Sequence, residues 1–312
     1  MKRVILTTVV GIAIVFLLSS CSWIQTLVWG ESTGKFIVSK RNSDGTWDIY
    51  IWDGDNKFER LTYLKATKGI DARSSWDKKK LAVLTYNDLT RTLYVMDLNT
   101  RSLNKVFESE NIDLRNWKRN NKDIVVGWHS RCEVDLYSID SETGEKSLFL
   151  NPSDVDPIKH AVYGWWPLED GRMIIAAQNG CWSPTLELYI FRLDYYGKPY
   201  DIRQLTHNSY YDDVFLVREG KIYVRRSDSP AGYNSPENVY TVDYETGEEE
   251  KLTHFTGGEI VYPVAIYGDY LYIDIYDEST NERSIYRLNL KTKKLEPVKT
   301  NVDSSIVLSG EF

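Results

Sequence analysis

Short apolar runs that break at an aspartate or asparagine recur along this chain. They read Ile49-Tyr50-Ile51-Trp52-Asp53, Leu93-Tyr94-Val95-Met96-Asp97, Leu136-Tyr137-Ser138-Ile139-Asp140, Leu188-Tyr189 continuing to Leu193-Asp194, Val239-Tyr240-Thr241-Val242-Asp243 and Ile285-Tyr286-Arg287-Leu288-Asn289, and their tyrosines stand 44, 43, 52, 51 and 46 residues apart. Turn residues follow, as in Ser141-Glu142-Thr143-Gly144 and Tyr244-Glu245-Thr246-Gly247, so each run predicts a strand entering a hairpin. A β-rich segment lies upstream of each, such as Leu81-Ala82-Val83-Leu84 or Ile124-Val125-Val126. Another lies downstream, among them Arg60-Leu61-Thr62, Gln204-Leu205-Thr206 and Lys251-Leu252-Thr253. Innermost strands are expected over 71–76, 113–117, 161–166, 212–217 and 261–266. Four strands per repeat of this length is the dimension of a propeller blade.

The Tyr-x-x-Asp strand, the Leu-Thr strand end and the Trp76-Asp77-Lys78-Lys79 turn resemble the TolB-type repeat. That resemblance covers roughly residues 36–309 and implies a six-bladed β-propeller with an interaction role and no catalytic residues. The fold class is therefore all-β, with four-stranded antiparallel blades. The first repeat begins at Phe36 without an innermost strand, and the chain ends with a lone strand over 304–309. The C-terminal strand is expected to pair into blade 1, since an open ring would leave two edges of unpaired backbone groups.

Residues 1–20 precede the ring as an address. Lys2 and Arg3 lead an apolar stretch from Val4 to Leu18, then Leu18-Ser19-Ser20-Cys21, which resembles the bacterial lipobox. The domains expected are a lipoprotein signal peptide over 1–20, a lipidated tether over 21–34 and the propeller over 35–312. Acylation of Cys21, with diacylglyceryl and a further palmitate-type chain, would anchor the protein, because one chain binds only marginally at about 0.8 kcal/mol per methylene. The location expected is extracytoplasmic: the periplasmic face of the outer membrane in a diderm, the outer face of the cell membrane in a monoderm.

Composition fits this picture. There are 22 tyrosines and 10 tryptophans among 312 residues, which favours strands. The formal charge is −7, from 45 acidic and 38 basic residues, which argues against a nucleic-acid partner.

The loops between second and third strands share one face, expected near 42–46, 86–91, 127–133, 178–185, 227–237 and 277–283. Trp128, His129, Arg131, Trp182, Arg225, Arg226, Tyr233 and Asn234 form the candidate binding face, because aromatic and arginine side chains on loops concentrate binding energy. Trp128 and Trp182 could equally cover strand ends. Trp76, Trp117 and Trp166 are read as repeat-equivalent core residues. Asp71, Asp113, Asp212, Asp213, Glu259 and Asp303 recur near the starts of innermost strands. If they converge, a hard cation such as Ca²⁺ would relieve their repulsion; the alternative is solvated strand entrances with no cofactor. Cys132 and Cys181 fall in equivalent loops of adjacent blades, as a disulfide or as two free thiols.

The sequence lacks His-Glu-x-x-His, Gly-x-Ser-x-Gly and phosphate-loop motifs. The expected role is an envelope scaffold, a monomeric ring that binds a protein or peptide. The alternatives are a carbohydrate lyase or hydrolase working in the central funnel, or an oligosaccharide-binding protein using Trp128 or Trp182.

Overall fold

The computed structural model describes residues 35–312 apart from 54–56, 131–133, 153–154, 156–160, 179–184, 209, 228–235, 278, 281, 303–305 and 312. Blade 2 shows how sequence becomes sheet. Its second strand, β5 (Lys80–Tyr86), is apolar on consecutive positions, and Leu81, Ala82, Val83 and Leu84 are all fully buried because blades pack on both of its faces. It pairs with the innermost β4 (Gly69–Ser74) and with β6 (Arg91–Asp97), the tyrosine-marked strand, while β7 (Leu103–Ser109) closes the outer edge.

The same order holds in blade 3, with β8 (Ile112–Trp117), β9 (Asp123–His129), β10 (Val134–Asp140) and β11 (Lys146–Leu150). Blade 4 comprises β12 (Ala161–Pro167), β13 (Arg172–Gln178), β14 (Glu187–Leu193) and β15 (Pro199–Gln204). Blade 5 comprises β16 (Asp212–Arg218), β17 (Lys221–Ser227), β18 (Glu237–Asp243) and β19 (Glu249–Lys251). Blade 6 comprises β20 (Glu259–Tyr267), β21 (Tyr270–Asp277), β22 (Glu282–Asn289) and β23 (Leu295–Val302). Blade 1 takes β1 (Phe36–Arg41), β2 (Trp47–Trp52) and β3 (Phe58–Arg60) from the start of the ring, and its innermost strand is β24 (Ile306–Glu311) from the end. β24 runs antiparallel to β1, with Val38 opposite Leu308 and Lys40 opposite Ile306, so the expected closure is present.

Among the described residues six apolar clusters hold the ring, one at each junction between successive blades. The last of them joins Phe36, Val38 and Trp52 of blade 1 to Ala265, Tyr272 and Ile285 of blade 6.

Both recurrent sequence marks have a physical cause. In the Leu-Thr strand end the threonine hydroxyl bridges two groups. Thr62, Thr206 and Thr253 accept hydrogen bonds from the backbone N–H of Ile49, Leu188 and Val239 at 2.9, 3.0 and 2.9 Å. They donate to Asp48, Glu187 and Asn238 at 3.0, 2.6 and 3.0 Å. The aspartate after each tyrosine strand accepts from the backbone of its own hairpin: Asp97 from Asn99 and Thr100, Asp140 from Glu142 and Thr143, Asp243 from Glu245 and Thr246.

That hairpin needs one residue at positive φ, filled by Gly144 at 74° in blade 3 and by Gly197 at 80° in blade 4. A Cβ on Gly144 would lie 2.3 Å from the backbone oxygen of Val106 in the preceding blade, whereas one on Gly197 would meet nothing within 4 Å. Gly197→Ala should therefore cost only the left-handed penalty, about 1 to 2 kcal/mol. Gly144→Ala should cost roughly 3 kcal/mol or more, because the blade contact must also open. Paired urea titrations would check this, and equal losses would remove the close-approach argument.

The equivalence expected for Trp76, Trp117 and Trp166 does not hold. Trp117 is the last residue of β8 and fully buried, Trp166 lies one residue inside β12, and Trp76 sits in the turn after β4. The slip lies at the turns: Ser75 closes on Lys80 and Lys118 on Asp123, five residues on, whereas Leu168 closes on Arg172, four on, and Trp76 stands one residue after its closing residue, Trp117 one before and Trp166 two before. The strands differ as well, since β-bulges interrupt the register of β8, β12, β16, β20 and β24, at Arg115, Tyr163, Phe215, Val264 and Ser309, while β4 runs unbroken. Each bulge adds a residue on one strand alone, so counting back from the turn lands on a different face.

Candidate functional site: the loop-face funnel

The innermost strands start at the face that carries the second-to-third strand loops. There Asp71 and Arg73 of β4 alternate with buried Ile70 and Ala72, and Asp113 and Arg115 of β8 alternate with buried Ile112 and Leu114. The bulge in β8 is what brings Asp113 into phase with Asp71. Opposite them on β16 stands Asp213, which feels the charges of Arg73 and Arg115 across the axis as well as that of Arg225 beside it. Side chains from blades 2, 3 and 5 thus face one funnel.

Each carboxylate there has a protein partner. Asp71 accepts from the Tyr86 hydroxyl at 2.9 Å. Asp113 is held by Arg91 and by the Nε2 of His129, with Arg115 Nη2 4.0 Å away. Burial would raise the Asp113 carboxyl, but His129, Arg115 and Arg91 outweigh it and hold it below the ordinary aspartate range. Asp213 meets Arg225 at 3.3 Å, and Arg225 also approaches Glu237 at 3.6 Å. The protein packed around Asp213 takes away much of its water, and that desolvation raises its carboxyl despite the three arginines. Arg283 donates to Asp274 at 2.6 Å, and Arg225 and Arg283 both lie over the Tyr262 ring, at 5.0 and 5.8 Å. Arg115 rests on the floor that Gly127 leaves clear, since a Cβ there would come within 2.8 Å of its Nε and Nη2. The far end of the channel is narrowed by Trp76 and Trp166, edge to face at 5.7 Å, with the Arg119 guanidinium 3.8 Å over Trp76.

Several expectations need correction. Arg225 and Arg226 are strand residues of β17, not loop residues, because β17 runs on to Ser227. Arg226 is 3% exposed and pairs with Asp212 (Nη2 to Oδ2, 2.9 Å) and with Glu249 (Nη1 to Oε2, 2.5 Å). Asp212 is fully buried on the opposite face of β16 from Asp213, and so does not belong to the funnel. Trp128 and His129 also belong to a strand, β9. Trp128 packs between Phe107 and Tyr137, ring centroids 6.4 and 5.6 Å away, with the Lys146 ammonium 4.0 Å over its ring. Glu259 opens β20 and folds back on Gly257. Among the described residues no three His, Cys, Asp or Glu side chains gather as a metal set. Arg91, Arg115 and Arg225 stand beside Asp113 and Asp213 there. Arg131, Trp182, Tyr233, Asn234, Asp303, Cys21, Cys132 and Cys181 lie outside the described residues.

Arg73, Tyr86, Arg91, Arg115, Glu237, Tyr262 and Arg283 reach the funnel without having been singled out in the sequence. Arg91, Glu237 and Arg283 open third strands or stand one residue inside them, where a loop hands over to the blade. That recurrence was the available signal. Arg115 had none, because a bulge sets its direction.

Behind the funnel, at the junction of blades 4 and 5, burial pushes the Glu187 carboxyl up to about 7. The charge of nearby Asp212 adds to the rise, and the Thr206 hydroxyl and Asn208 backbone oppose it. The folded protein thus holds a proton there that the unfolded chain releases near its ordinary value of about 4.3. Stability should be full below that value and fall as pH rises through about 7, by at most roughly 4 kcal/mol. In Glu187→Gln the slope of the urea midpoint over this interval should flatten; an unchanged slope would show that Glu187 does not carry it.

No family model and no curated protein matches the chain by sequence. Solved structures do match by shape. TolB from Acinetobacter baumannii superposes with a TM-score of 0.67 at 16% identity, covering 94% of this chain and 71% of that one. The fold is that of the TolB propellers. The TolB-like ring is shared with an oligogalacturonate lyase solved in complex with manganese, at 16% identity and TM-score 0.55, covering 86% of this chain and 74% of that one. A chain of the nidogen/laminin complex matches at 10% identity and TM-score 0.58, covering 89% of this chain and all of that one. At these identities the likeness concerns architecture.

Proposed function

We propose that this TolB-like ring is a lipid-anchored, extracytoplasmic binding module that receives a protein or peptide partner on its loop face. The observation that carries this reading is the concentration of arginine and tyrosine at the funnel: Arg91 and Arg225 partly exposed at its rim, with Tyr86 and Tyr262 behind them. Arginine and tyrosine are the side chains in which binding energy concentrates at protein interfaces. Ion pairing among neighbours holds these groups in place before a partner arrives, which lowers the ordering cost of association. The anchor is supported by the charged start, the apolar run and Leu18-Ser19-Ser20-Cys21. It places the ring at the envelope, at the outer membrane of a diderm or the outer face of the cell membrane of a monoderm.

A photo-crosslinking residue in place of Leu89, which is 79% exposed in the loop between β5 and β6, tests the reading in intact cells. One envelope protein should be captured there, and Arg91→Ala should reduce the yield several-fold. If no adduct forms and the purified chain depolymerises a polyuronate, the reading gives way to a lyase, the activity named for one structural neighbour.

A further inference from the structure

Five of the hairpins between third and fourth strands can be compared residue by residue. In blades 2, 3, 5 and 6 the turn closes on the fourth residue after the aspartate or asparagine: Arg101 to Asp97, Gly144 to Asp140, Gly247 to Asp243 and Lys293 to Asn289. The residue directly after the aspartate or asparagine then tucks under the ring. Leu98, Tyr244 and Leu290 pack against core clusters, and Ser141 is buried. In blade 4 the turn closes one residue earlier, from Gly197 to Asp194 at 3.1 Å. Shortening the loop turns that position outward. Tyr195 is 95% exposed and Tyr196 84%, the two rings meeting edge to face at 5.4 Å, and Tyr200 of the same hairpin is 48% exposed. Folding does not require this exposure, since the other blades hide the equivalent position.

The chain enters the ring on the same face. β1 is a second strand, so Phe36 stands where second strands start and third strands end, opposite Trp52. Arg172, which starts the second strand of blade 4, stands likewise opposite Arg192, just before the tyrosine turn. Phe36 lies fifteen positions on from Cys21, a reach of at most about 50 Å.

We infer that the Tyr195–Tyr196 hairpin is a membrane contact: it rests in the headgroup layer of the bilayer, so that the ring lies with this face toward the lipid and the funnel faces away. The inference rests on the lipid-anchor reading above. Tyrosine suits that layer because its ring is apolar and its hydroxyl stays wet. Two rings bind a bilayer weakly by themselves, but an anchored chain holds them at high effective concentration, and orientation then needs little further affinity.

The test uses the full lipidated chain in phosphatidylethanolamine/phosphatidylglycerol vesicles that contain a doxyl-labelled lipid, with Cys132 and Cys181 replaced by Ser. A bimane label is placed through Tyr196→Cys or, as the loop-face control, Leu89→Cys. Quenching should be several-fold stronger at position 196 than at 89. Equal quenching, or stronger quenching at 89, overturns the inference, as does shielding of position 196 that appears only as protein concentration rises, which would mark a second copy as its occupant. Palmitate incorporation is scored separately. Without it the anchor reading fails, and the same quenching comparison on the unlipidated chain, held to nickel-chelating lipid through a histidine tag at its N-terminal end, decides the surface. Stronger quenching at 196 than at 89 supports the contact there too, and equal quenching overturns it.

Discussion

Deleting residues 301–312 is expected to lower stability by roughly 5 kcal/mol or more and to make unfolding less cooperative. The deletion removes β24, whose five register pairs with β1 satisfy the inner edge of blade 1, each pair contributing about 1 kcal/mol. The damage spreads because the cluster of Phe36, Val38 and Trp52 against Ala265, Tyr272 and Ile285 joins the first blade to the last. Without β24, blade 1 would keep only that side-chain cluster toward blade 6, with no strand bracing β1 beside it, and the bare edge of β1 would be open to pairing with another chain. Urea denaturation followed by tryptophan fluorescence and circular dichroism together would show this as an early, separate transition. An unchanged midpoint in the truncated protein would mean that the ring does not depend on its closing strand.

Arg226→Met should cost about 3 to 5 kcal/mol. Asp212 is fully buried, and Arg226 is its charged partner, bridging it to Glu249 while lying over the Tyr240 ring at 4.6 Å. Burial already raises the Asp212 carboxyl. With the guanidinium gone, the acid must either take up a proton or keep a buried charge, with the side-chain amide of Asn208 at 3.1 Å as a remaining donor. Most of the loss should be recovered in Arg226→Met/Asp212→Leu, because replacing both members of a buried pair with apolar groups removes the uncompensated charge. Thermal unfolding of the two single variants and the double variant measures the coupling. Additive losses would show that the pair is not a unit.

The six-fold repeat was legible because strands buried on both faces must be apolar at consecutive positions, as Leu81 to Leu84 are, and because each hairpin needs an acceptor such as Asp140 for its own backbone. The Leu-Thr mark was legible for a similar reason, since Thr62, Thr206 and Thr253 each serve one local backbone donor and one buried acceptor. Closure by the tail followed from the phase of the repeat. These are local or nearest-neighbour demands, and they leave their trace in the residues that meet them.

The funnel was legible only in part. Asp71, Asp113, Asp213 and Arg225 were singled out and do meet there, but as ion pairs and hydrogen bonds with Tyr86, Arg91 and His129. Asp212 is expected at the funnel and Arg226 on a loop, yet the two pair inside blade 5, away from the funnel. A side chain's face in a strand depends on register, and an unpaired extra residue, as at Arg115, reverses it without any distinctive residue type.

Sequence alone therefore determined the number of blades, the strand that closes the ring and the hairpins between strands, since each is fixed by periodic burial or by a bond to a near neighbour. The tertiary structure decided which charges share the funnel, that Arg226 is sealed inside blade 5, and that Tyr195 and Tyr196 stand outward. Those outcomes turn on bulges and on one missing turn residue, whose effect appears only when several strands are brought together around one axis.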